Sequence, residues 1–273
     1  MITYITKTAI GYSHIREGRV CQDFSSAYHD EERTILTACD GHGGSLYIRS
    51  DVGSKLASMA IMKVLQRIEK SSFFHYTKTK MINKIKLQIL CEWNNMVDKD
   101  LSDKAISKKE KEALGENEKF KLKSCPVKAY GTTLNGAMIF GNRLVCVSLG
   151  DGGIFLLKRG KIIPAFEDDE DAVANLTYSM CQEDAFEHLK VHIFDFNELD
   201  GVLLCTDGLI NPYQSISNFE QKLVKPICVK LLEGNKVEID NFVKQMGEKL
   251  GIGDDVTLAL AMKSNTSLRT YKI

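Results

Sequence analysis

Three short apolar runs in the middle of the chain most restrict the folds that it can adopt. The runs are Thr132–Phe140, Arg143–Leu149 and Gly153–Lys158, and they are separated only by Gly141-Asn142 and Gly150-Asp151-Gly152. Connections of two or three residues that contain glycine are typical of β-hairpins, because parallel strands need a much longer crossover. This stretch therefore predicts antiparallel strands that are neighbours in one sheet.

Helical periodicity is found in two pairs of segments, one pair on each side of these hairpins. Apolar residues recur at helical spacing between Leu46 and Lys70 and between Met81 and Leu101, as on the buried face of an amphipathic helix. The same pattern returns from about Ile216 to Leu232 and from Ile239 to Leu250. Helices that come in separate pairs, and not between consecutive strands, indicate an α+β fold with antiparallel sheets.

Shorter signals predict the remaining elements. Ile2–Gly11 alternates like a strand, and Tyr12–Gly18 is predicted to be a turn. The polar turn His29–Glu32 joins two strands into a hairpin, the second being the apolar run Arg33–Cys39. Residues 102–124 are dominated by Lys, Glu, Asp and Ser and predict a solvated helix end followed by a loop. Further strands are expected at Val191–Phe196, Val202–Thr206 and Val256–Met262.

Composition argues against several classes of protein. The 36 Lys and Arg residues balance 36 Asp and Glu residues, and zero net charge opposes nucleic-acid binding through broad positive charge. The 8 cysteines include no Cys-x-x-Cys pair, which argues against a zinc cluster. No apolar run approaches the roughly 18 residues that span a bilayer. With no signal peptide, we expect a reduced, cytoplasmic setting, no membrane partner and a monomer.

Five aspartates stand at the ends of strand-like runs: Asp23, Asp40, Asp151, Asp207 and Asp254. Taken singly, each could be only a hairpin or capping residue, because Asp-Gly is common turn chemistry. Together they share one position relative to a strand, which independent turns have no reason to do. Carboxylates gathered at one edge of a sheet repel one another unless a cation neutralises them. Oxygen ligands without a Cys/His cluster favour Mg²⁺ or Mn²⁺, so the pattern predicts a site for hard divalent cations.

Six motifs occur in the order in which one protein family carries them. They are Cys21-Gln22-Asp23, Asp40-Gly41-His42-Gly43-Gly44, Gly131-Thr132-Thr133-Leu134, Gly150-Asp151-Gly152, Thr206-Asp207-Gly208-Leu209 and Asp254-Asp255-Val256-Thr257. With these motifs the chain resembles the metal-dependent protein serine/threonine phosphatases, the PPM or PP2C family, from about residue 8 to residue 262. It is most similar to the compact bacterial members. The resemblance implies an α-β-β-α four-layer sandwich with two central antiparallel sheets over residues 1–263, followed by a short tail at 264–273.

The resemblance also implies a reaction and a metal site. A member of this family would hydrolyse phosphoserine and phosphothreonine on proteins through a water activated by two Mn²⁺ or Mg²⁺ ions. Asp40 would bridge the two ions, and the Gly41 carbonyl would be a further ligand. Asp207 and Asp254 would complete the shell of one ion. Asp151, together with Asp207, would frame a third and weaker metal position.

The catalytic groups are implied by the same motifs. Asp23 and Gln22 would orient metal-bound waters. His42 would donate a proton to the leaving serine or threonine oxygen, a role that suits a histidine near neutral pH. Arg19, or as the weaker choice Arg16, would bind the phosphate through paired hydrogen bonds. The open alternatives are an ordinary turn histidine for His42 and a solvated surface charge for Arg19.

The sequence departs from the family pattern at three positions. Gln22 replaces a frequent Glu, Gly152 replaces a frequent Ser, and Asn211 stands where some members have an aspartate at the third metal position. Gln22 and Asn211 motivate one alternative, a non-catalytic relative that binds a phosphoprotein or partner. A third hypothesis is a metal-dependent phosphodiesterase acting on nucleic acid, which the zero net charge opposes. Residues 164–187, with the acidic run Glu167–Asp171, correspond to the variable flap of the family, which could receive a basic peptide or be only a surface loop.

Overall fold

Two antiparallel sheets form the centre of the computed structural model, which describes residues 1–167 and 177–272. In chain order the strands are β1 (Ile2–Ala9), β2 (Phe24–His29), β3 (Arg33–Cys39), β4 (Leu134–Phe140), β5 (Arg143–Leu149), β6 (Gly153–Lys158), β7 (Lys161–Pro164), β8 (Lys190–Asp195), β9 (Gly201–Cys205) and β10 (Val256–Lys263). The first sheet has the order β1-β10-β9-β6-β7, and the second has the order β2-β3-β4-β5-β8. All of these described neighbours pair antiparallel, as the short glycine turns predict.

Helices cover the outer face of each sheet. They are α1 (Tyr12–Glu17), α2 (Ser50–Gln66), α3 (Ser72–His75), α4 (Lys78–Asp103), α5 (Lys108–Glu112), α6 (Glu116–Ser124), α7 (Ala185–His188), α8 (Asp207–Ile210), α9 (Ile216–Phe219), α10 (Lys225–Leu232) and α11 (Lys236–Gln245). Helices α2 and α4 lie against the second sheet, and α10 and α11 lie against the first. The predicted α+β fold with α-β-β-α layers is therefore confirmed. Among the described helices, none has the length and apolarity that crossing a bilayer requires.

The four layers explain why the central strands are apolar throughout. Successive side chains of a strand point to opposite faces of the sheet. In β3, Ile35 and Cys39 pack in the core beneath α2 and α4, whereas Leu36 and Ala38 pack in the core between the two sheets. All four are at most 1% exposed. A strand that is buried on both faces reads as a continuous apolar run, which is the pattern of Arg33–Cys39.

The segment Tyr12–Gly18, predicted to be a turn, is helix α1, and that prediction was wrong. The helix ends at Gly18, whose φ of 67° is left-handed, a conformation that glycine adopts without strain and that commonly ends helices. The Arg19 N–H donates to the His14 carbonyl at 2.9 Å and so continues this cap. Six residues are too few for a helical period to appear in the sequence, and contacts elsewhere in the fold hold this helix.

Two other helical predictions were incomplete. Residues 102–124 contain α5 and α6 and not only a solvated loop, and Leu114 and Leu122 are buried in the core. A mostly charged segment can thus contain single buried side chains that its sequence pattern does not indicate. The helix predicted at Ile216–Leu232 is divided into α9 and α10 by a π-helical turn at Glu220–Val224.

The predicted flap at 164–187 is described only in part. Strand β7 ends at Pro164, and α7 begins at Ala185. Residues 168–176, which include most of the acidic run, lie outside the described residues. The proposed roles of this run stay predictions.

The predicted tail contacts the sandwich at Thr270 and Tyr271. Tyr271 is buried in the core beside the first sheet, and its hydroxyl donates to Asp200 Oδ2 at 3.0 Å. A Cβ on Gly160 would lie 2.2 Å from the Thr270 carbonyl oxygen, so this part of the tail lies directly on the turn between β6 and β7. The domain boundary at residue 263 stays a prediction.

Candidate active site

The register of the second sheet places two of the predicted acidic residues side by side. Phe24, the first residue of β2, pairs with Cys39, the last residue of β3. Asp23 and Asp40 are the next residues beyond this pair. Since the strands are antiparallel, the start of β2 and the end of β3 lie at the same edge, and so do the two aspartates.

The first sheet brings its acidic turns to the same edge. Cys205, the last residue of β9, pairs with Leu258 of β10 on one side and with Gly153 of β6 on the other. The turns next to these pairs carry the rest of the predicted set, Asp151, Asp207 and Asp254. The two sheets meet at this edge, because the Thr206 hydroxyl donates to Asp23 Oδ2 at 2.8 Å. The structure thus brings all five acidic turns together.

These aspartates change one another's ionisation. Burial raises the pKa of Asp40 well above its usual range, and the negative charges of Asp23, Asp207, Asp254 and Asp151 raise it further. Burial and the charges of Asp151 and Asp254 raise the pKa of Asp207 to about 6. Burial is also the main reason that the pKa of Asp254 is raised. A fully ionised cluster of this kind is unfavourable unless positive charge compensates it.

Asp23 is the most buried of the five aspartates at the strand ends. It is 6% exposed, and burial followed by the charge of Asp255 raises its pKa. Hydrogen bonds from the side chains of Thr206 and Thr257 oppose that shift by favouring the ionised form. The Thr257 N–H donates to Thr206 Oγ1 at 3.0 Å, so the two threonines that hydrogen-bond to the carboxylate are also bonded to each other.

The turn after β3 is held by the motif that begins at Gly131. The Asp40 carbonyl accepts hydrogen bonds from the Thr133 N–H at 2.8 Å and from Thr132 Oγ1 at 2.7 Å. The His42 N–H donates to the Gly131 carbonyl at 3.1 Å. Residues 131–133 therefore fix the backbone on both sides of Gly41.

The His42 imidazole lies in a close pocket beside Tyr47. The two ring centroids are 4.9 Å apart. A Cβ on Gly131 would lie 2.2 Å from Tyr47 Cδ1 and 2.9 Å from His42 Cδ2, so only glycine fits against this pair. Burial lowers the pKa of His42, and the negative charge of Asp151 partly opposes that shift.

Gln22 connects the two sides of the cluster. Its N–H donates to Asp255 Oδ2 at 2.6 Å, and its carbonyl accepts from the Gly41 N–H at 3.1 Å and from the Ser54 hydroxyl at 2.6 Å. Its side-chain amide donates to the His42 carbonyl at 3.3 Å. Gln22 is therefore a structural link as well as a candidate for orienting water.

Arg19 and Arg16 are both exposed near this edge. Arg19 Nε lies 2.9 Å from Glu17 Oε2, and Arg19 Nη1 donates to the Gly43 carbonyl at 3.4 Å. The Arg16 side chain makes no hydrogen bond or ion pair with the part of the chain that the structure describes. Contact with Gly43 in the glycine turn makes Arg19 the better placed of the two for binding a phosphate at the cluster.

Three buried oxygen atoms of the cluster receive no hydrogen bond from any described residue: Asp23 Oδ1, Asp207 Oδ1 and Gln22 Oε1. Buried polar atoms normally have a partner, and carboxylate and amide oxygens are the ligands that hard divalent cations prefer. Within residues 1–167 and 177–272, no three acidic, histidine or cysteine side chains are already arranged around one ion position. The chemistry of the donors therefore fits a divalent cation. Asn211 Nδ2 donates to Asp207 Oδ2 at 3.0 Å.

The sequence model of one family matches most of the chain. The model described as protein phosphatase 2C matches residues 10–244. The chain belongs to the protein phosphatase 2C family. The match includes every acidic turn of the cluster except the one at Asp254. No curated protein sequence matches this family member significantly.

Solved structures of bacterial phosphatases share the fold of this protein phosphatase 2C family member. A bacterial serine phosphatase is 16% identical, with a TM-score of 0.62 over 98% of this chain and 100% of that chain. The catalytic domain of the serine/threonine phosphatase PstP, in complex with 2 manganese ions, is 16% identical, with a TM-score of 0.55 over 96% and 97%. The phosphatase Stp1 from Staphylococcus aureus is 17% identical, with a TM-score of 0.56 over 96% and 95%. At these identities the similarity shows the fold.

The structure of this phosphatase 2C family member adds residues that the motifs did not single out. Asp255 is 2% exposed; it accepts the Gly11 N–H at 2.7 Å and the Gln22 N–H noted above, and it lies 3.0 Å from His14 Nδ1. The signal for Asp255 was its place beside Asp254 in a strand-end motif. His14 had no sequence signal, since its partner lies at the other end of the chain and its helix was predicted as a turn.

Proposed function

We propose that this chain is a metal-dependent protein phosphatase that hydrolyses phosphoserine and phosphothreonine in protein substrates. The main support is the meeting of Asp23 and Asp40 from one sheet with Asp207 and Asp254 from the other, in a member of the protein phosphatase 2C family. Carboxylates from two sheets, whose negative charges together raise the pKa of Asp40, form the kind of acidic site that divalent cations neutralise.

The proposed ligands are Asp40, the Gly41 carbonyl, Asp207 and Asp254, with Asp151 at a third position. A Cβ on Gly41 would lie 2.6 Å from the Ser50 carbonyl oxygen, so no side chain can crowd this backbone ligand. Mn²⁺ or Mg²⁺ suits this set of oxygen atoms, and the structurally similar PstP domain was solved with 2 manganese ions. Bound cations would neutralise the phosphate and make water a better nucleophile.

The chain's own groups would bind the phosphate and move protons. Arg19, which contacts Gly43, would bind phosphate oxygens from the open side of the cluster. Asp23 and Gln22 each have a buried oxygen that could accept a hydrogen bond from water. His42 would donate a proton from its ring nitrogen to the leaving oxygen. Burial lowers its pKa, and a phosphate dianion beside the ring would oppose that shift because negative charge favours the imidazolium form.

The non-catalytic alternative has no support from the described residues. It was motivated by Gln22 and Asn211, and each of these amides hydrogen-bonds within the cluster, Gln22 to the His42 carbonyl and Asn211 to Asp207. Neither replaces one of the proposed principal ligands. The protein substrate, a monomeric state and a cytoplasmic location stay predictions.

The experiment is hydrolysis of p-nitrophenyl phosphate and a phosphothreonine peptide with Mn²⁺ or Mg²⁺. We expect EDTA to abolish turnover and added cation to restore it. Asp207→Asn should lower kcat by about two orders of magnitude or more, by removing a charged ligand. The matched control is Asp98→Asn, since Asp98 is exposed on α4. Full activity in EDTA would refute the proposal, and equal losses in the two variants would refute the role of Asp207.

A further inference from the structure

Four large apolar side chains are exposed where α1 meets the turn before β10. Tyr12 and Ile15 on α1 are 38% and 52% exposed. Leu250, the last residue of the π-helical segment Met246–Leu250, is 59% exposed, and Ile252 in the turn that follows is 50% exposed. We call these four residues the rim patch. Single exposed apolar residues are ordinary, whereas neighbouring ones on adjoining segments mark binding surfaces.

The two segments of the rim patch are fastened to each other. The Ser13 N–H donates to the Gly253 carbonyl at 3.0 Å, and the Tyr12 hydroxyl donates to the Ile252 carbonyl at 3.4 Å. A Cβ on Gly253 would lie 2.9 Å from Tyr12 Cζ, so the aromatic ring covers this glycine. These contacts hold Tyr12 against Ile252 and Gly253, and α1 also lies against the segment Met246–Leu250, so the helix and the turn form one surface.

The other side of α1 is anchored in the protein. His14 is 8% exposed and its Nδ1 lies 3.0 Å from the buried Asp255 carboxylate. Residues three and four apart share a helix face, so Tyr12, Ile15 and Arg16 lie on the face that looks away from this anchor. Tyr12, Ile15 and Arg16 are all exposed. The outward face of α1 thus presents apolar groups beside a cation.

The rim patch adjoins the candidate active site. A Cβ on Gly11, just before α1, would lie 2.3 Å from the Asp254 carbonyl carbon, so the helix begins directly on the backbone of a proposed ligand. After α1 the chain reaches Arg19, which contacts the glycine turn through the Gly43 carbonyl. Ile252 is two residues from Asp254. The patch is therefore continuous with the edge at which the phosphate would bind.

We propose that the rim patch binds an apolar side chain close in sequence to the phosphorylated residue of a protein substrate, an inference that rests on the proposed phosphatase function. The occupant is a polypeptide segment, because the patch lies beside a site for one phosphorylated side chain. Charge supports this choice, since the exposed Arg16 guanidinium, which no described carboxylate pairs, attracts a phosphate dianion to the same surface that offers apolar contact. Such a surface would favour phosphosites flanked by Leu, Ile or Phe over sites flanked by polar residues.

The test compares two phosphothreonine peptides that differ only in the residues around the phosphothreonine. One carries leucines on both sides and the other carries serines at the same positions. In the Ile15→Ser and Leu250→Ser variants we expect kcat/KM for the leucine peptide to fall about five- to tenfold through KM, because exposed apolar contact area is lost. Turnover of the serine peptide and of p-nitrophenyl phosphate should stay within twofold of the unmodified protein.

Val237→Ser is the matched control, since Val237 is 70% exposed and lies in the first turn of α11, 13 residues before Leu250. It should leave both peptides unaffected. Fluorescence anisotropy with phosphonate analogues of the peptides measures the same preference without turnover. Absence of any metal-dependent turnover would refute the proposed function. The anisotropy measurement would then show separately whether the rim patch binds the apolar side chains. Equal affinities for the two analogues, or no effect of Ile15→Ser and Leu250→Ser, would overturn the inference.

Discussion

Arg49 provides a sharp test of how the loop that follows the glycine turn is held. It is 4% exposed, and its Nε donates to Glu110 Oε1 at 2.7 Å. Its Nη1 donates to the Lys104 carbonyl at 2.7 Å and to the Tyr130 hydroxyl at 2.6 Å, and lies 3.3 Å from Asp100 Oδ2. One guanidinium therefore joins the start of α2 to α4, α5 and the segment before Gly131.

Arg49→Met would keep most of the side-chain volume and remove these hydrogen bonds. Breaking a fully buried ion pair costs about 3–5 kcal/mol. Here the side chains of Asp100 and Glu110 are 32% and 26% exposed, so their carboxylates can regain water. The Tyr130 hydroxyl keeps its hydrogen bond to Asp100 at 2.6 Å, which leaves the Lys104 carbonyl as the main unpaired group. We therefore expect a loss of about 2–3 kcal/mol in the free energy of unfolding.

The assay is urea unfolding followed by fluorescence of Trp93, the only tryptophan. Trp93 is fully buried on α4 and donates to the Gly53 carbonyl at 3.2 Å, so its emission reports loss of this core. The matched control is Arg67→Met, since Arg67 Nη1 lies 2.6 Å from Glu92 Oε1 but the arginine side chain is 60% exposed. Exposed pairs contribute about 0–1 kcal/mol. Equal losses of unfolding free energy in the two variants would refute the view that burial of Arg49 determines its contribution to stability.

Two further predictions concern the same region. Gly131→Ala should lower kcat at least about tenfold and lower the free energy of unfolding by about 1–3 kcal/mol, because the new Cβ would meet Tyr47 and His42. The measurements are phosphatase activity and urea unfolding, and no change in either would contradict this prediction. Hydrogen bonds from Arg49 lower the pKa of Glu110 from 4.5 to about 2, so this pair stabilises the fold above about pH 4.5 and the contribution is lost as pH falls towards 2. The loss of stability between pH 5 and pH 3 should be smaller in Arg49→Met than in the unmodified protein, and identical urea midpoints against pH would exclude the linkage.

Local sequence signals predicted most of the strands and none of the contacts that hold α1. The strand Arg33–Cys39 was predicted with the bounds that the structure has, because burial on both faces leaves a continuous apolar run. Helix α1 was missed because its six residues give no period and its stability comes from tertiary contacts. The buried leucines Leu114 and Leu122 were missed for a related reason, since single anchors in a charged segment carry no repeating pattern.

The sequence by itself determined that Asp23, Asp40 and Asp207 stand at strand ends, since apolar runs and glycine turns are local features. Only the tertiary structure decided that they meet. Their meeting depends on strand register and on the approach of the two sheets, as in the hydrogen bond from Thr206 to Asp23 across 183 residues of chain. The contact of Asp255 with Gly11 spans 244 residues. Contacts of this range arise from the packing of whole layers, which no local pattern of residues encodes.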